Sequence, residues 1–172
     1  MSDFEIERKW LINNPISETE VRNLSKQILK ISQWYDANGI RVRRTRVFST
    51  NDFKLIEENW VKTTKNEVRS GVRVENEKVI SEEYLLSGNF KPVRVLEKNR
   101  YLVDEGGFYW VVDFITKGIE DLVIVEREYK SIDEFETSSE IPDRFGNAVD
   151  VTDDTKYKSM NLANHIDKRI SS

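Results

Sequence analysis

The chain has 172 residues, 38% apolar and 34% charged, with four Trp, six Tyr, eight Phe and a formal net charge of -4. That is enough for one domain around a buried core, spanning 1–172, and too much apolar matter for a disordered chain. Cysteine is absent, which excludes disulfides, thiolate chemistry and Cys-based zinc sites, and the negative charge excludes a general nucleic-acid coat.

No apolar run has the length of a membrane span, and Arg8-Lys9 with nearby acids interrupts the only early apolar stretch, so neither a span nor a secretory leader is read. With no cysteine to oxidise, the expected location is cytoplasmic. In chain order, the first stretch is Glu5-Ile6-Glu7-Arg8-Lys9-Trp10. As a strand it sends Glu5, Glu7 and Lys9 to one face, and Ile6, Arg8 and Trp10, with Phe4, to the other. Ser17-x-x-Glu20 is a capping box, and Val21, Leu24, Ile28 and Ile31 at helical spacing predict a helix laying one stripe on the core. Residues 32–48 follow, ending in a strand with Arg41, Arg43 and Thr45 on one face and Val42, Arg44 and Arg46 on the other. A turn over 49–52 and one or two strands over 53–65 come next, then a loop over 66–71.

The run 72–77 repeats the alternation, with Arg73, Glu75 and Glu77 on one face. A short helix over 81–87 closes at Gly88. Leu96, Lys98 and Arg100 share a face of the strand over 93–103, and Asp104-Glu105-Gly106-Gly107 makes a hairpin turn. The returning strand, 108–115, holds one acid, Asp113, in an apolar run. The last strand, 122–129, begins apolar and then places Glu126 and Glu128 on one face. Ser131-x-x-Glu134 opens a brief helix, and the spacing of Tyr157, Met160, Ala163, Ile166 and Ile170 predicts an amphipathic helix over about 154–170.

Many strands at regular intervals, mostly joined as hairpins, predict an α+β, mainly β, fold: an antiparallel barrel with helices packed outside. If the strands close, the repeated charged faces must share one interior. That interior would hold seven bases (Lys9, Arg41, Arg43, Lys65, Arg73, Lys98, Arg100) and seven acids (Glu5, Glu7, Glu75, Glu77, Asp113, Glu126, Glu128). Like charges about 6 Å apart repel by roughly 3 kcal/mol per pair at an effective dielectric near 20. Such an interior stays open and wet until a ligand of both signs fills it. A polyphosphate with divalent cations fits, with Arg and Lys on phosphate oxygens and carboxylates on the metal. Oxygen-only donors favour Mg²⁺ or Mn²⁺ over Zn²⁺.

Along nearly the whole chain these residues resemble the motifs of the CYTH superfamily, the triphosphate tunnel metalloenzymes. Glu5-x-Glu7-x-Lys9 resembles its ExExK start, Arg41-Val42-Arg43 its RxR, Thr63-Thr64-Lys65 its T-x-K, and Arg73-x-Glu75-x-Glu77 its RxExE. Lys98-x-Arg100-Tyr101 is similar to its KxRY, Asp113 to its strand Asp, 122–128 to its closing L-x-x-x-E-x-E, and Val151-Thr152-x-Asp154 to its VT-x-D turn. The resemblance implies an eight-stranded antiparallel tunnel and is strongest to short bacterial-type members that cleave inorganic tripolyphosphate. It implies that Glu5, Glu7, Glu126 and Glu128 hold the catalytic metal, which orients or activates the attacking water. Lys9, Arg41, Arg43, Lys65, Arg73, Lys98 and Arg100 would bind phosphate, with Lys9 also catalytic. Glu75, Glu77 and Asp113 would hold a second ion or orient the basic groups.

Two motifs depart from the family. Its C-terminal Arg-Tyr-x-Asn is Lys156-Tyr157-Lys158-Ser159 here, and its Gln-Gly-Tyr-Leu is Gln33-Trp34-Tyr35-Asp36, with Trp34 expected to alter one rim. By parity Arg44, Arg46 and Arg127 are surface charges, and His165 lies on the tail helix away from every motif. The leading expectation is metal-dependent hydrolysis of a small-molecule triphosphate, inorganic tripolyphosphate, to pyrophosphate and phosphate. An organic-triphosphate enzyme (thiamine or nucleoside triphosphatase, or adenylate cyclase) and a barrel that binds polyphosphate or a nucleotide without turnover are the alternatives. An exposed aromatic strand face would let two barrels pair as a homodimer.

Overall fold

Strands with one charged and one apolar face can use both only if the sheet closes, so that one face lines a bore and the other packs under helices. The computed structural model describes residues 2–166 and shows that closure. Eight antiparallel strands form the barrel: β1 (Ser2–Asn13), β2 (Gln27–Asp36), β3 (Arg41–Ser49), β4 (Leu55–Arg69), β5 (Val72–Val79), β6 (Pro92–Asp104), β7 (Tyr109–Lys117) and β8 (Val123–Glu128). They run in the order β6-β2-β3-β4-β5-β1-β8-β7, and β7 pairs back onto β6. Short β9 (Asn147–Asp150) pairs with β1, and β10 (Asn164–His165) with β6. Among the described residues the short helices are α1 (Glu18–Arg22), α2 (Glu82–Leu86), α3 (Ile132–Thr137) and α4 (Ser159–Leu162).

Much of the outward surface of the sheet is apolar and covered. Trp10, Trp110, Tyr101 and Val125 pack with Val21 of α1 and with Phe145, and the two Trp rings meet edge to face at 5.5 Å. Ile6, Val72 and Tyr129 bury Phe135 of α3, while Val42, Trp60 and Phe90 lie under Tyr84 and Leu85 of α2. A fourth cluster lies on bore-facing positions: Tyr35, Leu96, Ile115 and Ile124 meet Leu162 and Ala163 of the tail. The tail therefore fills one part of the bore with apolar matter.

Several elements differ from the sequence expectation. Ser17 caps α1 as the capping box requires, its side chain accepting from Glu20 N, but the helix ends at Arg22. Ile28 and Ile31 belong to β2. Three residues apart in a strand they face opposite ways, and both are buried because β2 has a wall on each side. Helical spacing was an accident of two separate burial demands. β4 continues to Arg69, so the turn is tighter than the loop expected over 66–71, and Gly71 carries it at φ +70.

The amphipathic helix expected over 154–170 is not formed over the described part, 154–166. A 3-10 turn (Thr155–Tyr157) is followed by α4 and then by β10, and 167–170 lie outside the described residues. Ala163 is extended, which lets Leu162 fill the bore while Asn164 pairs with β6. His165 accordingly sits on a strand, opposite Arg94. Trp34 stacks at 5.7 Å on Trp60 outside the barrel and so does not shape the rim. Arg127 faces outward as parity requires but is buried, not a surface charge. Its guanidinium lies 3.6 Å from the Phe108 ring and pairs with Glu134 and Glu140.

Candidate active site

Antiparallel register brings the charged faces of separate segments into contact. Glu5 stands opposite Arg73 and Glu7 opposite Glu128, with Lys9 opposite Glu126, so β1 meets β5 on one side and β8 on the other. Lys65 stands opposite Glu75, and Arg100 opposite Asp113. The result is a cavity of about 750 Å³ running into the barrel. Thirteen of the fourteen residues named above line it, the exception being Asp113. That carboxylate is 1% exposed, held bidentately by Arg100 at 2.8 and 2.9 Å, and lies 2.9 Å from Lys98.

The two signs interleave. Arg73 donates to Glu7 at 2.8 Å, and Lys65 bridges Glu5 at 2.9 Å and Glu75 at 3.7 Å. Arg41 lies 3.6 Å from Glu75 and donates to Thr63 Oγ1 at 3.1 Å. Arg43 approaches Glu77 at 3.9 Å, and Lys9 approaches Glu126 at 3.7 Å. Most of these separations exceed an ideal charged hydrogen bond, so the cations are only partly committed to the wall.

Burial and crowding shift the titrations. Burial, then the charges of Glu126 and Glu5, push the Glu7 carboxyl up to about 7. Burial also opposes ionisation of Glu126, but the summed charge of Lys9, Arg100, Lys98 and Lys65 overrides it and holds that carboxyl well below the usual range. Glu128 is raised by burial and by Glu5 and Glu75. Burial lowers the Lys98 ammonium to about 8, Arg100 adding to the effect and Asp113 resisting it.

Among the described residues no three carboxylates or imidazoles already stand together as a metal site. The donor chemistry nonetheless fits a hard cation. Glu5, Glu7, Glu126 and Glu128 offer only oxygen, and Glu7 and Glu128 are kept from ionising in part by neighbouring carboxylates, a repulsion that a divalent cation relieves.

Sequence reasoning missed several cavity residues. Tyr35 lies inside, its hydroxyl accepting from Gln33 at 2.8 Å, and burial raises its pKa. In the sequence it was noted only within the departing Gln33-Trp34-Tyr35-Asp36 motif, and no strand alternation was read over it. Glu67 was assigned to a loop, although it continues the alternation of Thr63 and Lys65 and could have been found by it. Lys158 enters from the tail, where no strand pattern marks it.

No family model and no curated protein matches the chain. Among solved structures, the inorganic triphosphatase NE1496 matches with a TM-score of 0.52 and 25% identity, over 92% of this chain and 93% of that one. A second structure, of the hypothetical protein NE1496, matches with a TM-score of 0.54 and 22% identity, over 95% and 99%. What this chain shares with them is a closed eight-stranded antiparallel bore, lined here by both signs of charge. The chain shares the fold of that inorganic triphosphatase, and most of the motifs that resemble those of the CYTH superfamily lie on the bore wall.

Proposed function

We propose that this protein hydrolyses inorganic tripolyphosphate to pyrophosphate and phosphate, with Mg²⁺ or Mn²⁺. The observation that carries the reading is the wall of the cavity: fifteen of its twenty-two lining residues are charged, eight positive and seven negative. A purely anionic ligand would gain nothing from the carboxylates, and a purely cationic one nothing from the guanidinium groups. Inorganic substrate is favoured because charged residues dominate the lining, whereas a nucleoside or thiamine moiety would call for a more apolar or stacking wall than Phe4, Tyr35 and Met160 supply.

Each part of the wall then has a task. Arg41, Arg43, Arg73 and Arg100, with Lys9, Lys65 and Lys98, take phosphate oxygens, the guanidinium forks two at a time. They come from five strands of one closed sheet, so donors converge on the bore before substrate arrives, which supports a role in stabilising the charge of a loose phosphoryl-transfer transition state. Glu5, Glu7, Glu126 and Glu128 would hold the divalent cation, whose chemistry is Lewis acidity toward phosphate oxygens and relief of their charge. Asp113 acts as a positioning residue, fixing Arg100 and Lys98 from beneath. Glu75 does the same for Arg41 and Lys65.

The test is phosphate release from tripolyphosphate, ATP and thiamine triphosphate side by side, with each metal and with chelator. Tripolyphosphate should be the fastest substrate and chelator should abolish release. Faster turnover of ATP or thiamine triphosphate would move the assignment to an organic-triphosphate enzyme. Tight binding without turnover in either metal would leave a binding barrel.

A further inference from the structure

The tail brings one cation to the cavity that no strand supplies. At the position of the family's tail arginine, Lys156 turns away and approaches Glu120 at 3.6 Å with a largely exposed side chain. Two residues later Lys158 lines the cavity instead, 2.8 Å from Glu67 of β4. Both partners are about two-fifths exposed, so the pair stands at the mouth in contact with water. On the same tail segment, the carbonyl of Tyr157 accepts from Lys9 Nζ at 3.0 Å, and Met160 reaches Gly39, where a Cβ would lie 3.4 Å from its sulfur. The backbone that carries Lys158 is thus tied to the bore from two directions, while among the described residues its ammonium is held by a screened surface carboxylate.

We infer that Lys158 is a specificity-determining phosphate ligand at the mouth and that Glu67 is its placeholder, so that this pair discriminates anions of three phosphates from those of two. The inference rests on the triphosphate reading of the bore. A tripolyphosphate seated on the strand cations carries enough additional charge at its outer end to draw Lys158 away from Glu67. Pyrophosphate seated on the same inner cations leaves the pair closed and gains nothing from it. Glu67 also repels any anion that fails to engage Lys158, which penalises the shorter anion twice.

Calorimetric titration of tripolyphosphate and pyrophosphate, without turnover, into the full chain tests this with Lys158→Met, Glu67→Gln and the double variant. Lys158→Met should weaken tripolyphosphate about tenfold, the size of one charged contact, and pyrophosphate less, through the repulsion of the bare Glu67 carboxylate alone. Glu67→Gln should tighten both anions, pyrophosphate the more, and so narrow the discrimination. The double variant should bind both anions more tightly than Lys158→Met, because the bare Glu67 carboxylate that repels them is gone, and should still discriminate less than the parent chain. A merely structural latch would instead make both single variants shift affinity the same way with equal losses of Tm, and that result overturns the inference. Unchanged tripolyphosphate affinity in Lys158→Met, with tight binding by the parent chain, overturns it as well. Failure of the parent chain to bind tripolyphosphate overturns the reading of the bore itself.

Discussion

Single side chains in the bore carry opposite demands, and their replacement should separate them. Glu126→Ala and Glu5→Ala are expected to lower kcat about a hundredfold or more, since each removes an oxygen donor on which phosphoryl transfer depends. Arg41→Ala should chiefly raise KM, by about tenfold, because it deletes a charged contact that substrate and transition state share. Steady-state kinetics on tripolyphosphate resolves the two, and equal losses of kcat in all three variants would contradict the division of roles. Glu7, raised to about 7, holds its proton between the ordinary carboxyl range and neutrality. The folded state binds that proton more tightly than the unfolded one, so its contribution to stability falls as pH rises from about 4.5 to about 7. Divalent-cation affinity should strengthen over the same window as the carboxyl empties, with proton release visible by calorimetry in buffers of different ionisation enthalpy. Lys98 works in the other direction. Its folded value near 8 lies below its ordinary 10.5, so stability rises as pH climbs between them while the ammonium charge is lost. Substrate affinity should therefore weaken above about pH 8 in a protein that has not unfolded, a combination that thermal melts and KM measured across the same range would reveal.

At the scale of elements, the site depends on where the β4–β5 turn docks. Gly71 adopts φ +70, and a Cβ there would stand 2.6 Å from the Phe135 ring and 2.9 Å from the Glu7 carbonyl. The same turn is bonded through Glu7 N to Gly71 O at 2.9 Å. Gly71→Ala should cost about 2 kcal/mol through the positive φ and the clash together, and should disturb Glu7 and Arg73 with it. Urea unfolding gives the first effect and the KM for tripolyphosphate the second, and a variant destabilised but with unaltered KM would show that the turn does not position the bore. On the outer face, Trp10→Ala removes a ring packed against Trp110 and buried to within 2% of its surface. About 3 to 5 kcal/mol of stability should go with it. α1 and the tail show why pattern reading failed locally. Val21 and Ile28 do share an outer cluster, so their spacing was a true signal of burial, but it did not specify a helix.

For the molecule as a whole, closure is what makes a charged interior affordable. Every long strand pairs on both sides, so backbone groups are satisfied around the ring while side chains of both signs face water in the bore. Filling that bore should stabilise the fold by mass action: tripolyphosphate with Mg²⁺ is expected to raise Tm, in a concentration-dependent way that high salt suppresses. Among the described residues no helix is long and apolar enough to cross a membrane. Chemistry along the chain already determined a great deal. Period-two alternation announced the strand faces at Glu5, Arg41, Arg73 and Glu126, because a strand's side-chain period is two whatever its neighbours, and closure then sent those faces inward together. Local pattern could not decide β2, whose Ile28 and Ile31 are buried on opposite walls, nor the tail, whose path is set by the space left between β6 and the bore. Nor could it pair Glu67 with Lys158, ninety-one positions apart. Those were settled only by tertiary structure, since a residue buried by two different neighbours carries no period of its own, and a contact across the mouth exists only once the ring has closed.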